Sequence, residues 1–314
     1  MKIFVTGGSG YKGSVLIPKL LKAGHEVTNF DTNWFGDYLK DHSNLDKVKG
    51  DIRDLESISL KGFDTIIHLA NVANDPAVEL NQTMSWEINV LAGHQLIEKA
   101  IKDNVKHFIF ASSGSVYGVK EEEKVTEDLS LVPISTYNKT KMIAERVFIS
   151  YSKDIKVHSI RPATVCGLSP RMRLDVAVNL LTFQALNKGK ITVLGGKQVR
   201  PNIHIDDICD AYLHFISNNE KIDSGFYNAG FENISILEIA KLIQSKIKCE
   251  IHINESNDPR SYRQDSSKLI NTGFKPKKNV STAMDEIIKS YKLSQLQDRP
   301  QWHTVKWMSE RKIK

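Results

Sequence analysis

The sequence predicts an α/β protein built on a doubly wound parallel sheet, and two observations carry that expectation. First, short continuous apolar runs at Lys2–Val5, Glu26–Phe30, Thr65–Leu69, His107–Ala111 and Val157–Arg161 alternate with stretches of helical periodicity, including Thr83–Asn104 and Thr136–Ser152. Strands apolar on both faces and separated by helices belong to a parallel sheet covered on both sides. Second, the first run empties into Thr6-Gly7-Gly8-Ser9-Gly10-Tyr11-Lys12-Gly13. A buried strand that passes through closely spaced glycines into a helix aims backbone N–H groups and a positive dipole end at one point, which suits a phosphate.

The elements follow in order. In the glycine turn, Gly8, Gly10 and Gly13 fit G-x-G-x-x-G, while Gly7, Gly10 and Gly13 fit G-x-x-G-x-x-G. Either pattern alone is weak, because such turns also merely join a strand to a helix. The next helix, Ser14 to Ala23, sets Val15, Leu16, Leu20 and Leu21 near helical spacing, and Gly24 stops it. The second strand ends at Asp31, eighteen residues past Gly13. In Rossmann folds that bind dinucleotides, an acidic residue at about that distance bonds the adenine ribose hydroxyls. A carboxylate there repels a 2′-phosphate, so the expected cofactor is NAD rather than NADP.

Strand His107–Ala111 runs into Ser112-Ser113-Gly114-Ser115-Val116-Tyr117-Gly118. Ligands of doubly wound sheets sit beyond the carboxyl ends of strands, so these hydroxyls face the crevice lined by the glycine turn. Tyr137 and Lys141 follow, four residues apart on one helix face. An ammonium beside a phenol, with a cationic nicotinamide near, lowers the tyrosine pKa from ~10 toward the working pH. The phenolate can then accept a hydroxyl proton while hydride leaves the same carbon, and Ser113 can bond the same oxygen. The Tyr-x-x-x-Lys pair carries no weight by itself. Its weight comes from the order: glycine turn, acidic strand end, serine-rich strand end, then this helix.

After Arg161-Pro162 the alternation loosens, with strand-like segments at Asn202–Ile205 and Gly225–Asn228 and a helix from Asp206. The expected division is a cofactor-binding region over 1–165, joined by about 201–230, and a smaller substrate-binding region over 166–200 and 231–290. A tail, 291–314, carries Trp302 and Trp307 and is either packed or an interface arm. A chain of 314 residues suits one large domain or two modest ones. The net charge of +6 is spread along it, which gives nucleic-acid binding poor support and suits a dianionic substrate. Cys166, Cys209 and Cys249 are far apart and lack metal-ligand spacing, so neither a disulfide frame nor a metal is expected, and the compartment is the reducing cytoplasm. No apolar run approaches membrane-spanning length, and neither a membrane nor a signal peptide is expected.

With these motifs in place, the chain resembles the extended short-chain dehydrogenase/reductases, and among them the NAD-dependent nucleotide-sugar epimerases and dehydratases. The resemblance runs from Lys2 to about Pro276. Gly50-Asp51-Ile52-Arg53-Asp54 is similar to the segment whose Asp-Ile contacts adenine, His68-Leu69-Ala70-Asn71 to the loop flanking the cofactor, and Asn89 to a recurrent helix asparagine. It implies Gly7, Gly10, Tyr11, Lys12, Gly13, Asp31, Asp51, Ile52, Leu69, Ala70, Asn71, Asn89, Ser112, Tyr137, Lys141 and Pro162 around NAD, with Ser113, Tyr137 and Lys141 catalytic. It implies Ser113, Ser115, Tyr137, Thr164, Asn179, Leu180, Arg200 and Arg260 around a nucleotide-diphosphate sugar, the two arginines meeting the diphosphate as guanidinium forks do. It also implies a homodimer formed through the Thr83–Asn104 and Thr136–Ser152 helices.

Three departures matter. Gly114 and Ser115 stand where family dehydratases and decarboxylases carry an acidic residue, which argues against elimination and for reversible oxidation at sugar C4, hence epimerisation. Lys12 replaces a common isoleucine, and Cys166 a common tyrosine. The alternatives are a nucleotide-sugar 4-ketoreductase or dehydrogenase, a 4,6-dehydratase, a hydroxysteroid-type small-alcohol dehydrogenase, and a non-catalytic NAD sensor. Arg200 and Arg260 oppose an uncharged substrate, and a sensor has no need of Ser113, Tyr137 and Lys141 together. His68 and His204 read as core histidines. Asn71 and Asn74-Asp75-Pro76 fit a sugar pocket and ordinary turn chemistry equally well.

Overall fold

The structure, a computed structural model, describes residues 1–56, 58–256 and 261–313. Its strands are β1 (Lys2–Thr6), β2 (Glu26–Asp31), β3 (Leu45–Lys49), β4 (Thr65–His68), β5 (His107–Ala111), β6 (Lys156–Pro162), β7 (Thr164–Cys166), β8 (Lys190–Leu194), β9 (Val199–His204), β10 (Gly225–Ala229), β11 (Glu232–Ser235) and β12 (Glu250–Asn254). Seven form one sheet in the order β10-β6-β5-β4-β1-β2-β3, every neighbouring pair parallel. The expected doubly wound sheet is therefore present. Its order reverses beside β1, between β2 and β4, which opens a crevice at the carboxyl ends of those strands.

The pleat sends alternate residues of each strand to opposite faces. Ile3 and Val5 of β1 meet Leu16, Ile17 and Leu20 of helix Gly13–Lys22 and Tyr212 and Phe215 of helix Ile205–Ser217. Phe4 points the other way, into Phe108, Phe110, Leu96 and Phe148. A third apolar cluster, including Val178, Leu181, Val193, Ile239, Ile243 and Met284, forms the core of the smaller region.

Several elements differ from the sequence reading. β3 is polar and exposed at the sheet edge, so no apolar run announced it. The strand expected at Asn202–Ile205 is the end of β9, which stops at His204 with Ile205 opening the next helix; β9 pairs with β7 and β11 in a separate three-stranded sheet, while β8 and β12 pair with each other. The helix expected over Thr83–Asn104 spans Gln82–Trp86 and Ala92–Lys102, with a π turn at Glu87–Leu91 between them. Asn89 lies in that turn. Its Nδ2 donates to the Val72 carbonyl and to Thr140 Oγ1, and its Oδ1 accepts the Val72 N–H.

One buried ion pair ties the layers together. Arg161 of β6 is fully buried, and it donates from Nη2 to Glu145 Oε1 at 2.6 Å and from Nε to Oε2 at 3.1 Å. Glu145 belongs to helix Thr136–Ser150, and its Oε2 also accepts the Ser112 hydroxyl at 2.7 Å. Arg161 Nη1 donates to the Tyr117 phenol at 2.7 Å, which in turn donates to Asn228 Oδ1 of β10 at 2.8 Å. Glu145→Ala strands a buried guanidinium, and the expected loss is about 3–5 kcal/mol in urea unfolding. A midpoint equal to that of the parent chain would show that this pair supports nothing.

Candidate active site

A cavity of about 660 Å³ opens at the carboxyl ends of the central strands. The glycine turn forms one wall. Gly7 has φ +73°, and a Cβ there would stand 2.5 Å from the Ala70 nitrogen. Only a residue without a side chain lets the end of β1 lie this close to the end of β4. At Gly13 a Cβ would stand 2.3 Å from the Gly8 carbonyl oxygen, so the helix begins hard against the turn. Asp31 sits at the end of β2, where Oδ2 accepts the Ser9 N–H at 2.9 Å and Oδ1 the Asn33 N–H at 2.7 Å. Burial raises its pKa, and those two N–H bonds oppose the rise.

Gly7, Gly10, Tyr11, Lys12, Gly13, Asp31, Asp51, Ile52, Leu69, Ala70, Asn71, Ser112 and Pro162 all line this cavity. So do Ser113, Ser115, Tyr137, Thr164, Leu180 and Arg200. Three expected residues stand behind its wall. Asn89 braces the π turn as described. Asn179 is fully buried and donates to the Tyr11 phenol oxygen at 3.0 Å and to the Arg173 carbonyl, while its Oδ1 accepts the Gly167 N–H. Lys141 is 3% exposed, and its Nζ donates to the Ala111 carbonyl at 2.7 Å and lies 4.6 Å from the Phe110 ring centre. Arg260 lies outside the described residues.

The Ser113 and Ser115 hydroxyls are 2.7 Å apart, and both line the cavity with the Tyr137 phenol. Burial pushes that phenol up to about 12, the Asp75 carboxylate adds to the rise, and the Ser113 hydroxyl and the Arg173 guanidinium oppose it. Asp75 also accepts the Ser135 hydroxyl, and Ser135 Oγ caps the helix that carries Tyr137. The spacing argument put the tuning charge on Lys141 and did not place Asp75 or Arg173 beside the phenol. Burial holds the Lys141 amine well below its ordinary pKa, with Lys12 adding to the effect. Lys12 is itself lowered to about 8, chiefly by burial.

Sequence reasoning missed Trp34, Phe35, Thr304 and Met308 as lining residues; it placed the loop Pro170–Asp175 at the pocket without singling out Arg171 or Arg173. A faint signal existed in Arg171-Met172-Arg173-Leu174-Asp175, where charged and apolar residues alternate. Met172 and Leu174 are fully buried, which turns the three charged side chains together toward the cleft. Arg173 Nε donates to Asp175 Oδ1 at 2.8 Å.

The family model described as "NAD dependent epimerase/dehydratase family" matches residues 3–230. The chain belongs to that family. It is an NAD-dependent enzyme, and its donor set fits the cofactor: a glycine-rich turn, a helix N-terminus and a carboxylate at the end of β2. Among similar proteins, the UDP-glucose 4-epimerase of Lactobacillus helveticus is 28% identical over 308 residues, spanning 88% of this chain and 92% of that one. A solved UDP-glucose 4-epimerase with UDP-glucose from Thermotoga maritima superposes with a TM-score of 0.84 at 25% identity, covering 94% of this chain and 99% of that one. A Bacillus cereus UDP-glucuronic acid 4-epimerase in complex with UDP-glucuronic acid and NAD gives 0.80 at 26% identity, covering 93% and 100%. No helix among the described residues is long and apolar enough to cross a membrane.

Gly7→Ala forces a left-handed backbone and a clash with main-chain atoms of Leu69 and Ala70. NAD titration of this variant is expected to show roughly 5- to 150-fold weaker affinity, in keeping with a strain of about 1–3 kcal/mol. Wild-type affinity would show that the two strand ends can part freely.

Proposed function

We propose that this enzyme is a nucleotide-sugar 4-epimerase acting on a UDP-hexose. The observation that carries the reading is the meeting of Ser113 and Tyr137 in one cleft with the glycine turn, beside a 114–115 turn that holds no carboxylate. NAD held by the glycine turn and Asp31 would supply reversible hydride transfer at the sugar carbon. Tyr137 Oη, as the phenolate that a cationic nicotinamide beside it would favour against the burial that raises its pKa, takes the proton of the C4 hydroxyl and later restores it to the oxygen on the turned sugar. Ser113 Oγ holds that oxygen in line through both steps. Asp75 and Arg173 set the charge around the phenol in opposite senses. Lys141, expected on the ribose next to the nicotinamide, stands behind the wall on the Ala111 carbonyl and from there steadies the end of β5 that leads into Ser112 and Ser113. Arg200 lines the cleft and, with Arg260, binds the diphosphate. Retention of NAD through the cycle means that no outside reductant is consumed.

The test uses UDP-glucose with the purified enzyme and no added cofactor. UDP-galactose should appear without net NADH absorbance, and Tyr137→Phe should lower turnover by about 10²–10⁴-fold, the usual worth of a positioned acid–base group, while still binding NAD. Activity retained in Tyr137→Phe would remove the phenol from the mechanism. One observation favours a second reading: Asp75 brings a carboxylate to the cleft from a segment distant from the 114–115 turn. A 4-keto-6-deoxy product from dTDP-glucose would select that dehydratase reading instead.

The same reading takes the enzyme as a cytoplasmic homodimer. Trp86, Leu91 and Ile143 are exposed on the two helical segments expected at the interface, and the three cysteines are unpaired. Light scattering should give twice the chain mass, and Leu91→Glu should give monomer. An unchanged dimer in that variant would move the interface elsewhere.

A further inference from the structure

Arg171 is a buried cation of the cleft that holds no carboxylate among the described residues. It follows β7, in the segment assigned to the substrate side, yet it lines the same cavity as the glycine turn. Only 3% of it is exposed. Its guanidinium lies 4.0 Å from the Phe35 ring centre, and Nη2 donates to Thr304 Oγ1 at 3.2 Å. Its Nε is enclosed without a hydrogen-bond partner, and among the described residues nothing bonds its Nη1. Arg173 and Arg161 each hold a carboxylate, but among the described residues none lies within ion-pair distance of Arg171. Asp175, the nearest candidate, spends one oxygen on Arg173 Nε and the other on the Thr304 N–H. Burial lowers the Arg171 pKa only to about 10, so the group stays charged. A buried guanidinium with an open donor is costly unless an anion completes it.

The surroundings say which anion. On one side stands Asp31, whose carboxylate feels the Arg171 charge and suits ribose hydroxyls. On the other, the Arg171 N–H donates to Ser14 Oγ at 3.4 Å in the first turn of helix Gly13–Lys22, whose N-terminus suits phosphate. A dinucleotide running between them passes the guanidinium with its pyrophosphate. We propose that Arg171 is a cofactor-binding residue whose unengaged Nη1 donates to a phosphate oxygen of the bound dinucleotide, and that the C-terminal segment, through Thr304, positions it and retains the cofactor.

That segment is fastened to both rims of the cleft. The Leu174 N–H donates to the Trp302 carbonyl at 2.9 Å on the substrate side. Trp307 Nε1 donates to the Trp34 carbonyl at 2.7 Å, and Gln301 Nε2 to the Tyr38 phenol at 3.0 Å, on the cofactor side. Thr304 and Met308 line the cavity between them. An enzyme whose cofactor ends each turnover in its starting state has no need to release it.

The test measures binding alone, on the full chain stripped of nucleotide, with NAD, ADP-ribose and adenosine as probes. Arg171→Gln should weaken NAD and ADP-ribose by roughly 10- to 100-fold, the worth of a charged hydrogen bond, and leave adenosine unchanged. Thr304→Val should speed NAD dissociation several-fold without altering adenosine affinity. Should Arg171→Gln fail to fold, Arg171→Lys keeps the charge and loses the fork, and the same ladder of probes applies. Unchanged NAD affinity overturns the proposal. So does an equal loss for adenosine, because the residue would then act through Asp31 or the fold rather than on phosphate.

Discussion

Arg161 and Glu145 are fully buried charges, and the geometry of the cleft depends on their finding each other. Taking either ion out of water is expensive, and the cost is offset only by a paired fork with its remaining positions filled. Here both Glu145 oxygens and all three Arg161 nitrogens are used. The pair joins the helix that carries Tyr137 to the strand ends that carry Ser112 and Ser113. It also reaches Tyr117 and Asn228, so the outermost strand β10 is held in the same network. A substitution far from any ligand can therefore misplace the phenol.

The cleft itself is assembled from parts distant in the chain. The glycine turn and the ends of β2, β4 and β5 form one side, and the 171–175 segment, Arg200 and the C-terminal helix Thr304–Glu310 form the other. Its electrostatics follow from burial more than from pairing. Burial drives Tyr137 up and drives Lys12 and Lys141 down, and each of these shifts favours the neutral form. Asp75 and Arg173 then pull the phenol in opposite directions. A cationic cofactor and an anionic substrate enter a site that has already borne the cost of desolvating its own groups.

The family resemblance rests on local motifs, and these were legible because each is dictated by backbone chemistry. Gly7 must accept a left-handed backbone, Asp31 must stand at a strand end, and Tyr137 and Lys141 must share a helix face. Apolar continuity in β1, β4 and β5 gave the parallel sheet for the same reason: strands covered on both faces have no polar side. β3 escaped because an edge strand needs no such pattern, and the Thr83–Asn104 helix kept its period across a π turn that only the Asn89 contacts reveal.

What the chain by itself determined, then, is the sheet, the turn and the order of the motifs along it. What only the tertiary structure decided is the company each charge keeps. The sequence separates Asp75 from Tyr137 by 62 positions and Arg171 from Thr304 by 133, and nothing in composition or spacing joins them. Long-range packing brings them together, because alternating residues such as Met172 and Leu174 must be buried and carry the charged residues between them into the cleft. Desolvation acts only once that packing exists, so the pKa of every group in the site is a property of the fold and not of the motif.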